Sequence, residues 1–328
     1  PEILARLLTL KAEQNTAYGF DPYSESAARK IAAACGKPDA LVKFLIGGTQ
    51  SNALIIDGLL NRYEGVIAAT SGHISVHEAG AVEYCGHKVI TLPGKEGKLT
   101  AASVEQYLID FYADETHEHM TQPGLIYLSQ PTEYGTIYTK AELTALRAVC
   151  DRFQLKIYLD GARLGYALTA KTADLNLEDI AELCDAFYIG GTKVGALFGE
   201  AAVIPDPHLV PHFFTQIKQH GALLAKGWVL GVQFDTLFSD GLYYRLAAHG
   251  NEMASILKDG LKKKGCALYL DSPTNQQFIV MENRALSALA EKVSFGLWEK
   301  YDENHTVIRF VTSWATKEED IKKLLSFF

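Results

Sequence analysis

The sequence predicts an α/β fold: a mostly parallel sheet flanked by helices, followed by a smaller C-terminal α+β unit. Two observations carry this expectation. Apolar runs of strand length alternate with segments whose apolar residues recur at helical spacing. The strand-like runs are also continuously apolar, as strands covered on both faces are, rather than alternating apolar and polar. With 328 residues, 48% of them hydrophobic, the chain is long enough for one large core and a second, smaller one. The texture changes near residue 235. This places a large unit over 15–235 and a small unit over 1–14 together with 236–328.

The elements read in order as follows. "ALVKFLI" (40–46) is a strand that runs into "GGTQ", and "SNALIIDGLLNR" (51–62) is a helix. "GVIAAT" (65–70) is a short buried strand, and "VHEAGAVEYCG" is a helix ending at Gly86. "KVITLP" (88–93) is a strand stopped by Pro93, which cannot donate to a ladder. The amphipathic "AASVEQYLIDFYADE" leads to the strand "GLIYLSQ" (124–130). Thr139 and Glu142 form a capping box that opens the next helix, before the strand "LKIYLD" (155–160). "NLEDIAELC" is a short helix, and 184–204 reads as strand, turn, strand around Lys193. Beyond 235 come a long helix over roughly 241–264, the strands "CALYLDS" and "QQFIVME", and a helix "ALSALAEKVSFGLWEK". The strand "TVIRFVTSW" and a last helix "KEEDIKKLLSFF" complete the chain. The N-terminal helix "PEILARLLTLKAEQ" is expected against the smaller unit.

Charge and composition narrow the function. A formal net charge of −8 with no basic stripe argues against nucleic acid as a partner. The apolar runs fall well short of a membrane span, and no signal peptide is visible, so the expectation is a cytoplasmic protein without a membrane partner. The five cysteines are scattered, with no metal-ligand spacing, and read as reduced thiols. His73 and His77 are four residues apart, but no third ligand stands at a suitable spacing, so no metal is expected.

In a mostly parallel sheet, ligands bind outside the carboxyl ends of the strands. Five strand ends here are polar or Gly-rich: "GGTQ" (47–50), "TSGH" (70–73), "SQPTEY" (129–134), "DGAR" (160–163) and "GGTK" (190–193). All five should meet at one edge. Asp160 ends a buried strand and needs a partner. That partner is either Arg163, three residues on, or a protonated heterocyclic nitrogen. Lys193 is either a hairpin lysine reaching for solvent or an enclosed amine able to form an imine with an aldehyde. Gly48, Thr49 and Gln50 follow a strand and open a helix. Free backbone N–H groups there suit a phosphate, although an ordinary turn reads the same way. His73 could stack on a flat ring or exchange a proton. An imine-forming amine, a carboxylate for a ring nitrogen, a phosphate cradle and a stacking ring together match pyridoxal phosphate.

Several stretches in this order resemble the low-specificity L-threonine aldolase/aromatic amino acid β-eliminating lyase family of fold-type-I pyridoxal-phosphate enzymes. They are "YGFDPYSESAARKIAAACGK" (18–37), "FLIGGTQSN" (44–52), His73 followed by "EAG" (78–80), "LDGARL" (159–164), the Lys193 turn and "VIRFVTSWATKEED" (307–320). The resemblance implies a pyridoxal-phosphate transferase-like fold and a carbon–carbon lyase (EC 4.1.2) that cleaves L-threonine or L-allo-threonine to glycine and an aldehyde. It implies phosphate contacts at Gly48, Thr49 and Gln50, His73 over the ring and Asp160 on the ring nitrogen. It puts Arg163 near the ring oxygen or substrate carboxylate, Lys193 on the cofactor and Arg309 on the α-carboxylate. It also implies a homodimer or homotetramer with the site at the subunit interface, where Lys218 or Lys226 of a neighbour reaches the phosphate.

Three departures stand out. The lysine lies in Thr192-Lys193-Val194-Gly195 rather than the family's Ser-Lys-Gly-Leu-Gly. Glu133 replaces a histidine of the family's Glu-Asn-Thr-His-Asn segment, which leaves Glu133, His73, His77 or a positioned water as the base. An Arg-Ser-Asp-like segment of relatives would lie before Pro1. The alternatives are β-elimination or transamination on another amino acid and, in a different class, a non-catalytic or nucleotide-binding α/β protein. "GGTQSN" lacks the dinucleotide pattern G-x-G-x-x-G.

Overall fold

The computed structural model describes residues 1–10 and 14–328. The large sheet holds β1 (Leu41–Leu45), β2 (Glu64–Ala69), β3 (Val89–Leu92), β4 (Gln122–Ser129), β5 (Lys156–Asp160), β6 (Ala186–Gly190) and β7 (Glu200–Ile204), in the order β1-β7-β6-β5-β4-β2-β3. The β7 strand runs against both neighbours, and every other pairing is parallel. Side chains of a strand alternate between faces, so the continuously apolar runs build two cores. Ile126 and Leu128 join one, with Ile31, Leu146 and Phe187. Leu125 and Tyr127 join the other, with Leu54, Ile55 and Tyr158.

The helices carry their own end signals. The Thr139 hydroxyl accepts from the Glu142 N–H at 3.2 Å, while the Glu142 carboxylate accepts from the Thr139 N–H at 2.8 Å. Such a cap is worth about 1 kcal/mol. Asn176 and Asp179 repeat the device at the helix Leu177–Leu183.

A second sheet contains β8 (Ala267–Leu268), β9 (Gln276–Glu282), β10 (Gly296–Lys300) and β11 (His305–Val311), antiparallel throughout in the order β10-β11-β9-β8. The helix Leu242–Lys263 ties the two sheets together. Its Leu242, Tyr243 and Ala247 pack into the large core, and its Met253, Leu257 and Leu261 pack into the core of the small sheet.

Three local expectations are corrected. The stretch expected as one helix from 285 to 300 is a helix Asn283–Ala290 followed by β10. The segment expected as one helix up to Gly86 is two single turns, His73–Val76 and Ala81–Tyr84, broken where Ala79 and Gly80 take positive φ. The N-terminal helix, Glu2–Leu8, seats Ile3 in the core of the large sheet rather than on the small one. Residues 11–13 of that expected helix lie outside the described residues.

Candidate active site

The five polar strand ends meet. Gly48 and Thr49 after β1, His73 after β2, Glu133 after β4, Asp160 and Arg163 at β5, and Lys193 after β6 all line one cavity of about 290 Å³. Close backbone packing permits this convergence: a Cβ on Gly161 would lie 1.9 Å from the Tyr188 carbonyl oxygen, so only glycine lets β5 turn there.

Asp160 is 4% exposed, and donors converge on both of its oxygens. Oδ1 accepts from the Tyr188 hydroxyl at 2.6 Å and the Ala162 N–H at 2.9 Å; Oδ2 accepts from the Tyr127 hydroxyl at 2.6 Å and Asn52 Nδ2 at 2.9 Å. The sheet register arranges this. Asp160 pairs with Ser129 on one side, and Tyr127 stands two residues back along β4 on the same face. Asp160 and Arg163 form no ion pair, so the simple pairing that their spacing allows is overturned. Burial pushes the tyrosine hydroxyls at 127, 158 and 188 well above the ordinary range, which keeps them protonated as donors.

The network extends to His73. Glu78 Oε1 accepts from Asn52 Nδ2 at 2.6 Å and lies 2.7 Å from His73 Nδ1. Its hydrogen bond raises the affinity of the imidazole for a proton. The rings of His73 and His77 are 5.6 Å apart and tilted. On the facing wall, Glu133 Oε1 accepts from the Ser129 hydroxyl at 2.7 Å and from the His73 N–H at 2.9 Å, while Oε2 is buried without a partner. Burial raises the Glu133 carboxyl above its ordinary range.

The cations are arranged differently. Lys193 opens into the cavity from an exposed turn, and desolvation by the surrounding protein lowers its amine to about 8. The Lys193 and Arg163 side chains donate no hydrogen bond among the described residues, and burial together with the charge of Arg309 lowers Arg163. Arg309 reaches from β11 of the small sheet. Its Nη1 donates to Gln276 Oε1 at 3.1 Å, its guanidinium lies 4.9 Å from the Trp298 ring centroid, and its buried Nε has no partner.

The residues present fit pyridoxal phosphate. Gly48 opens the 12-residue helix Gly48–Leu59, whose first N–H groups have no carbonyl partner within the helix. A Cβ at Gly48 would lie 2.9 Å from the Tyr188 hydroxyl, so the cradle depends on glycine. Thr49 lines the cavity, but Gln50 does not: its Oε1 accepts from the Ile46 N–H at 3.3 Å, turned back on the strand.

The β-eliminating lyase family model matches residues 1–284. Over 99% of this chain, a low-specificity L-threonine aldolase of a Pseudomonas strain is 32% identical, with 92% of that protein covered. The namesake of Pseudomonas aeruginosa is 29% identical with the same coverage. The solved structure of Leishmania major threonine aldolase superposes with a TM-score of 0.95 at 43% identity, covering 99% of this chain and 94% of that one. The chain belongs to the β-eliminating lyase family. It is a pyridoxal-phosphate-dependent lyase of fold type I. An aspartate aminotransferase of Thermus thermophilus shares the fold alone, with a TM-score of 0.71 at 15% identity.

Sequence reasoning missed several residues of this lyase site. Asn52 and Glu78 join Asp160 to His73, and Tyr127 and Tyr188 hold Asp160 directly. Glu200 lines the cavity near Lys193. The available signals were a polar Asn on the apolar face of a helix and a lone Glu opening the apolar run "EAAVI".

Proposed function

We propose that this lyase cleaves β-hydroxy-α-amino acids of the threonine type, L-threonine and L-allo-threonine, to glycine and an aldehyde. One observation carries the reading. Two cations with hydrogen-bonding capacity to spare, Lys193 and Arg163, line the same cavity as Asp160 and Glu133, whose Oε2 is unpartnered, and Arg309 lies near enough for its charge to oppose both. A β-hydroxy amino acid brings the matching groups: a carboxylate for the arginines and a hydroxyl proton for the carboxylate. The threonine aldolases among the relatives support the same substrate class.

In this reading, the helix N-terminus at Gly48 and Thr49 would hold the phosphate, His73 would lie against the ring, and Asp160 would meet the ring nitrogen. Lys193 is the amine to which the cofactor aldehyde attaches. Bound there, pyridoxal phosphate supplies an electron sink for the pair freed at Cα. Arg309 holds the α-carboxylate from the small sheet, with Arg163 beside it. Glu133 is the base: Ser129 and the His73 N–H fix Oε1, leaving Oε2 to take the hydroxyl proton.

The test is product analysis on purified protein loaded with pyridoxal phosphate and given L-threonine. Glycine with acetaldehyde upholds the reading. An α-keto acid with ammonia, or accumulation of pyridoxamine phosphate, transfers it to elimination or transamination.

The exposed apolar side chains near this edge, Phe20, Phe214 and Ile46, support a homodimer or homotetramer that closes the site. Lys218 lies 5.0 Å from the Tyr18 ring centroid and Lys226 is exposed; either would reach a neighbour's phosphate rather than its own. Light scattering in solution tests the assembly. The buried thiols Cys35, Cys150 and Cys184, pushed upward by desolvation, suit a reducing cytoplasmic setting.

A further inference from the structure

Glu200 has no place in the scheme above, yet it is 4% exposed and lines the same cavity as Lys193. It opens β7, between Leu45 of β1 and Gly190 of β6. Its Oε2 accepts from the Gly191 N–H at 2.9 Å, which fixes the carboxyl beside the turn that carries Lys193. The Thr192 hydroxyl also lies against it. An acidic side chain buried at the head of an apolar strand is costly unless it answers a nearby cation or a proton. We propose that Glu200 is the acidic counter-charge of the Lys193 amine: across the shared cavity its carboxylate favours the ammonium, and its protonation favours the free amine that acts as a nucleophile.

The surroundings favour this coupling. Burial lifts the Glu200 carboxyl to about 7 and lowers the Lys193 amine to about 8, so the two groups hold a proton with similar affinity. The other charges facing Lys193 are Asp160, which supports its ammonium, and Arg163 and Arg309, which oppose it. Those facing Glu200 are Lys193 and Asp160, and the hydroxyls of Tyr158, Tyr188 and Tyr243 stand close enough for Glu200 to raise them. His73 is the remaining titratable group that senses Lys193. Without Glu200, Asp160 would be left as the carboxylate that supports the Lys193 ammonium against the two arginines.

The inference rests on Lys193 being the cofactor amine, and its test is independent of turnover. The full chain, freed of cofactor, is labelled with dilute acetic anhydride across a pH series, and acetylation of Lys193 is followed by peptide mass spectrometry. In Glu200→Gln the amide oxygen still accepts from Gly191. The labelling midpoint should fall by about one pH unit, so that the amine is roughly tenfold more reactive at the wild-type midpoint. Glu200→Asp should restore most of the shift. A midpoint in Glu200→Gln equal to that of the wild type overturns the proposal. A second measurement needs no change at Glu200. Infrared difference spectroscopy should detect a carboxyl titrating near neutral pH that moves upward in Lys193→Met, and an unmoved carboxyl again overturns it. Failure of the cofactor assignment shows separately, as covalent cofactor retained in Lys193→Met.

Discussion

The two walls of the cavity treat their polar groups in opposite ways. On the Asp160 wall the groups are spent on one another: four donors meet the carboxylate, and Asn52, Glu78 and His73 continue the chain. On the cation wall they are held in reserve. Lys193 and Arg163 donate no side-chain hydrogen bond among the described residues, and Arg309, which stands behind this wall, gives one to Gln276 while its Nε has none. A saturated network fixes geometry, because each member is positioned by several others. An unsaturated cation costs stability but keeps its bonding capacity for a ligand. Substitutions on the first wall should therefore damage folding and function together, and substitutions on the second should damage function alone.

The largest expected effect lies on the cation wall. Lys193→Ala should abolish covalent attachment of pyridoxal phosphate, seen as loss of the visible imine band, and lower turnover by roughly a thousandfold or more, with little change in Tm. A retained band would break the comparison at its centre. Asp160→Ala comes next. It removes a fixed charge from a dry site, worth roughly 3 kcal/mol or more in turnover, about a hundredfold. It also strands the Tyr127 and Tyr188 hydroxyls and Asn52, so Tm should fall visibly. A variant as stable as the parent would mean that the network is not the scaffold described here. Arg309→Ala sharpens the contrast. Loss of a charge-assisted pair with the substrate carboxylate should raise KM roughly tenfold to a hundredfold with only a small fall in Tm, since the fold loses the single bond to Gln276 and the contact with the Trp298 ring. A fall in kcat at constant KM would remove Arg309 from substrate binding.

The part of this organisation that could be read from the sequence was the part carried by single residues at strand ends. Asp160, His73, Glu133 and Lys193 each follow an apolar run, and a parallel sheet brings such ends together whatever the rest of the chain does. The network behind Asp160 needed strand register. Tyr127 and Tyr188 look like ordinary core aromatics until β4, β5 and β6 are aligned. Arg309 is accessible only through family resemblance, because nothing local in "VIRFVTSW" says that β11 brings this charge near Arg163 and Lys193. Gln50 was misplaced for a local reason, its amide being taken up by Ile46. The expected helix over 285–300 runs on through β10 because "ALSALAEK" has helical spacing, and the change to β-forming residues after Gly296 is too short to outweigh it.

The smallest effect probes how far the saturated wall depends on charge. Glu78 raises the proton affinity of His73, whose side chain is 37% exposed. A histidine whose folded-state affinity is raised adds stability that is fully present below its unfolded pKa, roughly 6.5, and is lost as pH rises through the folded value. Glu78→Gln keeps an oxygen for Asn52 Nδ2 and removes the charge that favours the imidazolium. The Tm difference between parent and variant should therefore be larger near pH 6 than near pH 9, and small throughout because solvent screens the half-exposed ring. An equal difference at both pH values would show that Glu78 acts only as a hydrogen-bond acceptor, and that the wall is held by geometry without help from the charge on His73.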